Sequence, residues 1–368
     1  MKNHILSQSL EELQNQFLEW GQARWRAGQL LDWIYRKHAA SFDDCTNLSK
    51  DLRQKLKDNF SFYIPPLLQE SSPGDETRKF LWKLQDDNLV ESVLIEAPSE
   101  STEGGPGRKT LCLSTQVGCA FGCKFCASGR SGFVRNLTAA EMVEQFLGIE
   151  RWNRAQSSAP SASERLISNI VVMGMGEPLA NYEELLRALS LLNAPWGGGV
   201  GARKITISTS GLVPEILRLA AEPEQYRLAI SLHGASDSVR SRIMPINRKY
   251  PLDTLLAACT EYQRAKGRMI SFEYILIDRL NDTPEQCRAL AAIANRFHAH
   301  VNLIPYNRVE GCDFRRPTQD VIRGFLRELL NRGISATLRQ EKGGDLNAAC
   351  GQLRLRKMQD LRRDPGSS

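Results

Sequence analysis

The architecture of this chain can be inferred outward from one segment, Cys119-Ala-Phe-Gly-Cys123-Lys-Phe-Cys126. Three soft thiolate ligands stand here in a single loop, directly after residues that read as a strand. With three and then two residues between them, the three sulfurs lie within reach of one iron–sulfur cluster. No fourth cysteine is adjacent, so one iron is left for an outside ligand. The alternatives are a zinc site completed by a remote Cys or His, and three incidental thiols.

The rest of the chain surrounds this loop with repeated strand and helix units. Apolar, β-branched runs alternate with amphipathic helical segments, a pattern that predicts a parallel sheet with helices outside it. About six units are present, fewer than the eight of a closed barrel, so we expect an α/β fold with a partial (βα)6 barrel. The predicted strands are TLCLST (110–115), NIVVMG (169–174), KITIST (204–209), RLAISLH (227–233), MISFEYILI (269–277), HVNLIPY (300–306) and ISATLRQ (334–340).

Sequence patterns outside the barrel predict helices and a β-hairpin. Ser9 and Glu12 form a capping box at the start of the first of several amphipathic helices. Two strand-like runs flank the turn Asp86-Asp87-Asn88 and predict a hairpin. We expect four regions: a helical accessory domain at 1–70, a β-hairpin and linker at 71–108, the barrel at 109–345, and a C-terminal segment with a basic tail at 346–368.

Composition limits the class of protein. The chain has 368 residues, of which 42% are hydrophobic and 24% charged, as in globular proteins. It has no run of 18 apolar residues, and its N-terminus lacks the apolar stretch of a signal peptide, so we expect a cytoplasmic protein with no membrane partner. Nine cysteines in such a chain favour thiol or metal chemistry over a disulfide framework.

The charge pattern is compatible with a nucleic-acid partner without requiring one. The net charge of +6 is shared by many enzymes that bind no nucleic acid. A mixture of basic and aromatic side chains in the helical region predicts an RNA-facing surface, although aromatic residues at helical spacing are more often core. These residues are Arg24, Trp25, Arg26, Trp33, Tyr35, Arg36 and Lys37.

Taken in order, the motifs resemble those of the RlmN/Cfr family of radical-SAM RNA methyltransferases. The resemblance implies a [4Fe-4S] cluster on Cys119, Cys123 and Cys126, whose open iron binds the amino and carboxylate groups of S-adenosyl-L-methionine (SAM). It extends to about residue 356 and is carried by TNLSKDLRQKL (46–56), VESV (90–93), LCLSTQVGC (111–119), GFVRNLT (132–138), MGMGEPLANY (173–182), ITISTSGLVP (205–214), AISLHGASDSVRSRIMPIN (229–247), VNLIPYN (301–307) and DLNAACGQL (345–353).

Several of these motifs fall where predicted strands end. Ligands of α/β folds collect at the carboxyl edge of the sheet, where a glycine permits close backbone approach and a carboxylate can pair an ammonium group. His233 taken alone is more often a satisfied structural histidine. By resemblance, the SAM-binding residues are Gly176, Glu177, Ser208, Ser231, Leu232, His233 and Asn307.

Three further residues take chemical roles from the resemblance. The resemblance implies that Cys350 is the thiol that accepts a methyl group and carries it to the base. It makes Cys112 the resolving thiol, which forms a transient disulfide with Cys350, and Glu91 the proton acceptor. Without the resemblance, a late cysteine is usually inert and a hairpin glutamate is usually a solvated charge.

The resemblance also implies partners and leaves alternatives open. The expected reaction is methylation at C2 of an adenine in 23S rRNA, and in tRNA next to the anticodon, with a flavodoxin or ferredoxin system as electron donor. Pro178 and Ser210 look like the C2 branch, whereas the loop CAFGCKFCASG is closer to the Cfr-like branch that methylates C8. Two other hypotheses are a radical-SAM enzyme of another type, such as a glycyl-radical activase, and a non-catalytic iron–sulfur or zinc RNA-binding protein.

Overall fold

The computed structural model describes residues 2–70, 77–97, 107–156, 165–309, 311–339, 353–355 and 357. The chain divides into two compact units, each assembled from separate stretches of sequence. Unit 1 comprises Met1–Leu113, Asn136–Ile170 and Glu183–Lys204. Unit 2 comprises Ser114–Arg135, Val171–Tyr182 and Ile205–Ser368. The predicted boundaries of the four regions stay a prediction.

Helices and strands alternate along much of the described sequence. The α-helices are α1 Leu10–Glu19, α2 Trp25–Tyr35, α3 Lys50–Asn59, α4 Ala127–Arg130, α5 Ala139–Gln156, α6 Tyr182–Asn193, α7 Val213–Ala221, α8 Asp237–Ile243, α9 Leu252–Lys266, α10 Pro284–Arg296 and α11 Gln319–Asn331. The strands are β1 Asn3–His4, β2 Phe60–Ser61, β3 Leu67–Glu70, β4 Thr77–Lys83, β5 Leu89–Ala97, β6 Arg108–Cys112, β7 Gln116–Gly118, β8 Phe133–Asn136, β9 Asn169–Val172, β10 Ile205–Thr209, β11 Arg227–Ser231, β12 Ser271–Leu276, β13 His300–Pro305 and β14 Ala336–Leu338.

Unit 1 contains the N-terminal helices and an antiparallel sheet. The capping box of α1 is formed, because the Ser9 hydroxyl accepts the Glu12 N–H and the Glu12 carboxylate accepts the Ser9 N–H. Strands β3, β4, β5 and β6 lie side by side in that order, each antiparallel to its neighbour. The predicted hairpin is therefore present between β4 and β5, with Asp87 in the left-handed conformation at its turn.

Unit 2 contains five parallel strands, β10 to β14, which pair in chain order. Helices α7, α9, α10 and α11 come between successive strands, so the predicted α/β pattern is confirmed. The strand predicted at residues 334–340 is limited to β14, Ala336–Leu338, and its last predicted residue lies outside the described chain. A short two-stranded sheet of β7 and β8 brackets the cysteine loop.

The two faces of the unit 2 sheet differ. On the face that packs against helices, the Phe272 ring lies 5.7 Å from that of Phe297, and the Tyr274 ring stacks on Phe325 of α11. On β13, side chains alternate between fully buried and half-buried. Because alternate residues of a strand point to opposite faces, the face away from the helices keeps access to solvent. Within the described residues, no helix combines the length and apolarity needed to span a membrane.

Candidate cluster and cofactor site

Backbone contacts fasten the cysteine loop at both ends. The Cys119 N–H donates to the Gly132 carbonyl at 3.0 Å, and the Lys124 N–H donates to the Ile243 carbonyl at 2.9 Å. Gly118, just before the loop, has φ +78°, and a Cβ there would lie 1.8 Å from the Gly132 oxygen. Only glycine fits this position, so the close approach of the two segments depends on it.

The three cysteines form a sulfur-only donor set. Cys119 is buried, Cys123 and Cys126 are half-buried, and none of the three forms a disulfide within the described residues. Burial raises the pKa of Cys119 to about 12. Burial also raises the pKa of Cys123 well above its usual value, and the neighbouring Cys126 and Cys119 raise it further. Thiolates are therefore unfavourable here unless a cation compensates them, as the irons of a cluster do.

A site for a single metal ion differs from a cluster site because its ligands must surround one point. The described part of the chain holds no group of three or more His, Cys, Asp or Glu side chains gathered to hold one metal ion. In an iron–sulfur cluster each cysteine binds its own iron, so the thiols need not converge on one point. The sulfur donors at Cys119, Cys123 and Cys126 fit such a cluster.

The loop contacts the end of β11 through an aromatic pair. The Phe125 and His233 rings meet edge to face, with centroids 4.8 Å apart. Nδ1 of His233 accepts the Ile275 N–H at 3.0 Å, which assigns the ring proton to Nε2. Burial, with the charge of Arg240, lowers the pKa of His233 to about 3, so the imidazole is neutral. One ring nitrogen is thus structurally satisfied, as expected of a buried histidine, and Nε2 is left as a donor.

Gly176 and Glu177 follow β9 in a tight turn. Gly176 has φ +103°, and a Cβ there would lie 2.6 Å from Cβ of Gln116. The Glu177 carboxylate is buried and accepts hydrogen bonds from Ser210 N–H and Oγ–H, both at 2.8 Å, and from Leu179 N–H at 3.2 Å. Burial raises the pKa of Glu177, and these hydrogen bonds oppose that rise. The carboxylate that we expected to pair an ammonium group is therefore already engaged in holding the end of β10.

The other predicted cofactor residues belong to neighbouring strand ends. Ser208 on β10 and Ser231 on β11 have hydroxyl oxygens 3.5 Å apart. The Leu232 N–H donates to the Glu273 carbonyl at 3.0 Å, which continues the pairing of β11 with β12. Asn307 is half-buried, two residues after β13. Unit 2 therefore contains every predicted cofactor residue together with the cysteine loop.

Sequence reasoning missed Arg240, which is fully buried on α8. Its guanidinium donates to the carbonyls of Leu232 at 3.0 Å, Ser210 at 2.5 Å and Ser231 at 3.4 Å, and to Asn247 Oδ1 at 2.7 Å. One side chain thus joins the ends of β10 and β11. The sequence has three arginines close together here, Arg240, Arg242 and Arg248, and it does not show which of them is buried.

The predicted base and resolving thiol lie in unit 1. Glu91 is on β5 and is 2% exposed, so it is not the solvated charge usual for a hairpin glutamate. Cys112 ends β6 opposite Val93, the residue two positions after Glu91. Residues two apart on a strand share a face, so Glu91 and Cys112 lie on the same face of the sheet. Cys350 lies outside the described residues.

Comparisons with known proteins show the class of protein to which the chain belongs. The family described as "Ribosomal RNA large subunit methyltransferase N-terminal domain" matches residues 4–61, and "Radical SAM superfamily" matches residues 113–291. The crystal structure of a radical SAM methyltransferase from Sphaerobacter thermophilus superposes with a TM-score of 0.86 and 42% identity, covering 95% of this chain and 98% of that one. The α/β fold is therefore that of a radical SAM enzyme.

Curated relatives refine that class. "Probable dual-specificity RNA methyltransferase RlmN 3" of Opitutus terrae is 52% identical over 357 residues, covering 96% of this chain and 95% of that protein. The similarly named RlmN of Akkermansia muciniphila is 47% identical, covering 97% and 96%, and that of Staphylococcus aureus is 42% identical, covering 97% and 94%. The chain belongs to the RlmN family of radical SAM RNA methyltransferases, which use a [4Fe-4S] cluster and SAM.

Proposed function

We propose that this enzyme methylates C2 of an adenine in 23S rRNA and in tRNA next to the anticodon, by way of a methyl group carried on Cys350. The observation that carries the proposal is that the chain belongs to the RlmN family. Its sequence also has, in the matching motifs, the three residues to which the resemblance gives roles in methyl transfer, Cys350, Cys112 and Glu91. An electron-poor ring carbon cannot be methylated by simple displacement from SAM, so a second chemistry is needed. The names of the relatives, dual-specificity RNA methyltransferases, support the two RNA substrates.

The residues divide the chemistry among them. When bound, the cluster held by Cys119, Cys123 and Cys126 supplies, with SAM, a carbon radical able to remove hydrogen from an S-methyl group. The Cys350 thiolate first takes a methyl group from a separate SAM, whose sulfur leaves with the bonding electrons. Cys350 then presents that carbon to the adenine.

Product release needs a base and a second thiol. Addition of the carbon radical to adenine forms a carbon–carbon bond and leaves an unpaired electron on the ring. The adduct must then lose one electron, which the oxidised cluster would accept when bound, and one proton from the ring carbon, which Glu91 accepts. Cys112 attacks the Cys350 sulfur, a disulfide forms between them, and the methylated base departs with the electrons of the broken carbon–sulfur bond and takes up a proton. The shared face of Glu91 and Cys112 on β5 and β6 supports their working at one step.

The proposal also covers the ring position that is methylated, the surface that faces RNA, and the electron donor. Pro178 opens the short helix after Glu177, and Ser210 donates hydrogen bonds to the Glu177 carboxylate. The preference for C2 over C8 rests on resemblance, because both residues look like those of the C2 branch. Trp25 is 59% exposed, and the Arg26 guanidinium lies 4.9 Å from its ring centroid, a pair suited to stacking on RNA bases. Tyr35, in contrast, is buried and is excluded from that surface. A flavodoxin or ferredoxin system would supply electrons in the cytoplasm, where the RNA substrates lie.

Cys350→Ala tests the carrier role. After anaerobic reconstitution, with dithionite, SAM and RNA, we expect the wild type to form both 5′-deoxyadenosine and methylated adenine. Cys350→Ala should form no methylated adenine, because no thiol accepts the first methyl group. The matched control is Cys259→Ala, which removes a buried thiol of α9 and should retain both products.

Two results would overturn the proposal. Methylated adenine from Cys350→Ala would remove the carrier and favour a radical SAM enzyme of another type. Absence of 5′-deoxyadenosine from the reconstituted wild type would favour a non-catalytic RNA-binding protein. Liquid chromatography with mass spectrometry measures both products in one sample.

A further inference from the structure

A row of polar side chains crosses the sheet of unit 2 from the predicted cofactor residues. Ser231 on β11 pairs with Glu273 on β12, Glu273 pairs with Asn302 on β13, and Asn302 pairs with Thr337 on β14. Side chains of paired residues lie on the same face of a sheet. The Ser208 hydroxyl, 3.5 Å from that of Ser231, extends the row onto β10.

This row lies on the face that turns away from the helices. Phe272 and Tyr274, which flank Glu273 in sequence, point to the opposite face and pack on Phe297 and Phe325. Asn302 is half-buried, whereas its neighbours on β13 are fully buried. The row therefore borders space that a ligand can enter.

Glu273 stands out in the row because it is a carboxylate with unused acceptor capacity. It is 7% exposed, and Oε1 accepts the Asn302 amide at 2.7 Å. Within the described parts of the chain, Asn302 is the one hydrogen-bond donor to this carboxylate. An ionised carboxylate offers about four acceptor positions, and burying it with few donors is unfavourable. Burial raises the pKa of Glu273, and the hydrogen bond from Asn302 and the charge of Arg339 oppose that rise.

Its partner is held in a fixed orientation. Oδ1 of Asn302 accepts the Thr337 hydroxyl at 2.7 Å and lies 3.1 Å from Nε2 of His300. With its oxygen engaged there, the Asn302 amide must present its N–H groups toward Glu273. The carboxylate is thereby oriented in the absence of any ligand, as a preorganised binding group requires.

We propose that Glu273 is a further cofactor-binding residue, whose carboxylate accepts hydrogen bonds from the ribose hydroxyls of SAM. The proposal rests on the assignment of Ser208 and Ser231 to SAM. A ribose carries neutral vicinal hydroxyl donors, for which a carboxylate is a suitable acceptor. The cysteine loop would mark the methionine end of the cofactor, since the open iron of its cluster is expected to bind the amino and carboxylate groups of SAM. Glu273 lies farther across the sheet on β12, two strands beyond β10.

The test is equilibrium binding to the reconstituted holoprotein, measured by anaerobic calorimetry with S-adenosylhomocysteine and its 2′-deoxy and 3′-deoxy analogues. For the wild type we expect at least one deoxy analogue to bind about tenfold or more weakly, the loss of a hydrogen bond to a charged group. Glu273→Gln should bind S-adenosylhomocysteine about tenfold more weakly and should discriminate little against that analogue. Ser271→Ala, on the same strand and face, should behave as the wild type.

Each other outcome contradicts the proposal. Equal binding of all three ligands by the wild type overturns it without any variant, so a Glu273→Gln protein that fails to fold does not prevent the test. If Glu273→Gln binds all three ligands more weakly by the same factor, and still discriminates against the deoxy analogue, then Glu273 has only a structural role. Unchanged binding by the variant also overturns it. Because no RNA is present, failure of the proposed methylation reaction would leave these results untouched.

Discussion

At the scale of single residues, Arg240 explains how the ends of β10 and β11, which carry predicted cofactor residues, keep their positions. Its planar guanidinium presents several N–H donors in fixed directions, and here they meet three backbone carbonyls and one side-chain amide. Burial lowers its pKa to about 10, so it stays charged near neutral pH. A lysine could carry the charge but could not meet these carbonyls together.

Arg240→Lys should therefore lower the free energy of unfolding by about 2–4 kcal/mol, because buried carbonyls lose their donors. Denaturant unfolding followed by circular dichroism measures the change. Arg242→Lys is the matched control, since Arg242 is exposed on the same helix, and it should change stability by less than about 0.5 kcal/mol. A loss for Arg240→Lys as small as that of the control would contradict the positioning role.

Some residue roles could be predicted from the sequence and others could not. Cys119 and its two partners are recognisable because their spacing is local. The engagement of Glu177 by Ser210 is not, because 33 residues separate them in the chain. Glu273 looks like an ordinary strand residue in MISFEYILI, and its polar neighbours on β11, β13 and β14 become visible only once the strands are paired.

At the scale of elements, prediction succeeded where the signal was contained within one segment. The capping box of α1 and the turn between β4 and β5 are examples, since a cap and a tight turn need only nearby residues. Strand ends depend instead on neighbouring strands. The strand predicted at residues 110–115 is β6, Arg108–Cys112, because its ladder with β5 sets its bounds.

The end of α2 supplies a prediction about pH. His38 has its Nδ1 buried without a hydrogen-bond partner among the described residues. Burial first, then the charges of Arg151, Arg154 and Arg36, lowers the pKa of His38 to about 4. In the unfolded chain His38 therefore takes up a proton near pH 6.5, whereas in the folded protein it does so only near pH 4. Stability must fall as the pH is lowered through this window.

In His38→Asn, the loss in free energy of unfolding as the pH is lowered through this window should be smaller than in the wild type by about 1–2 kcal/mol, after allowance for solvent screening. Asparagine tolerates the left-handed conformation of this residue, φ +57°, so the backbone is preserved. Urea unfolding at pH 7, 6, 5 and 4 measures the slope. His298→Asn is the control, an exposed histidine with φ +47°. Equal slopes for the wild type and His38→Asn would contradict the account.

At the scale of the whole molecule, the two units are built from interleaved stretches of sequence. The cysteine loop and the predicted cofactor residues belong to unit 2, whereas Glu91 and Cys112 belong to unit 1. Composition changes along a chain cannot reveal such a division, because the chain passes between the units several times.

The most direct test of the central claim is the position of the new methyl group. Total RNA from cells lacking the enzyme is incubated anaerobically with the reconstituted protein, SAM and a reductant, and its nucleosides are analysed by mass spectrometry against standards. We expect 2-methyladenine, which mapping then places in 23S rRNA and in tRNA next to the anticodon. Finding 8-methyladenine alone, or no methylated adenine, would contradict it.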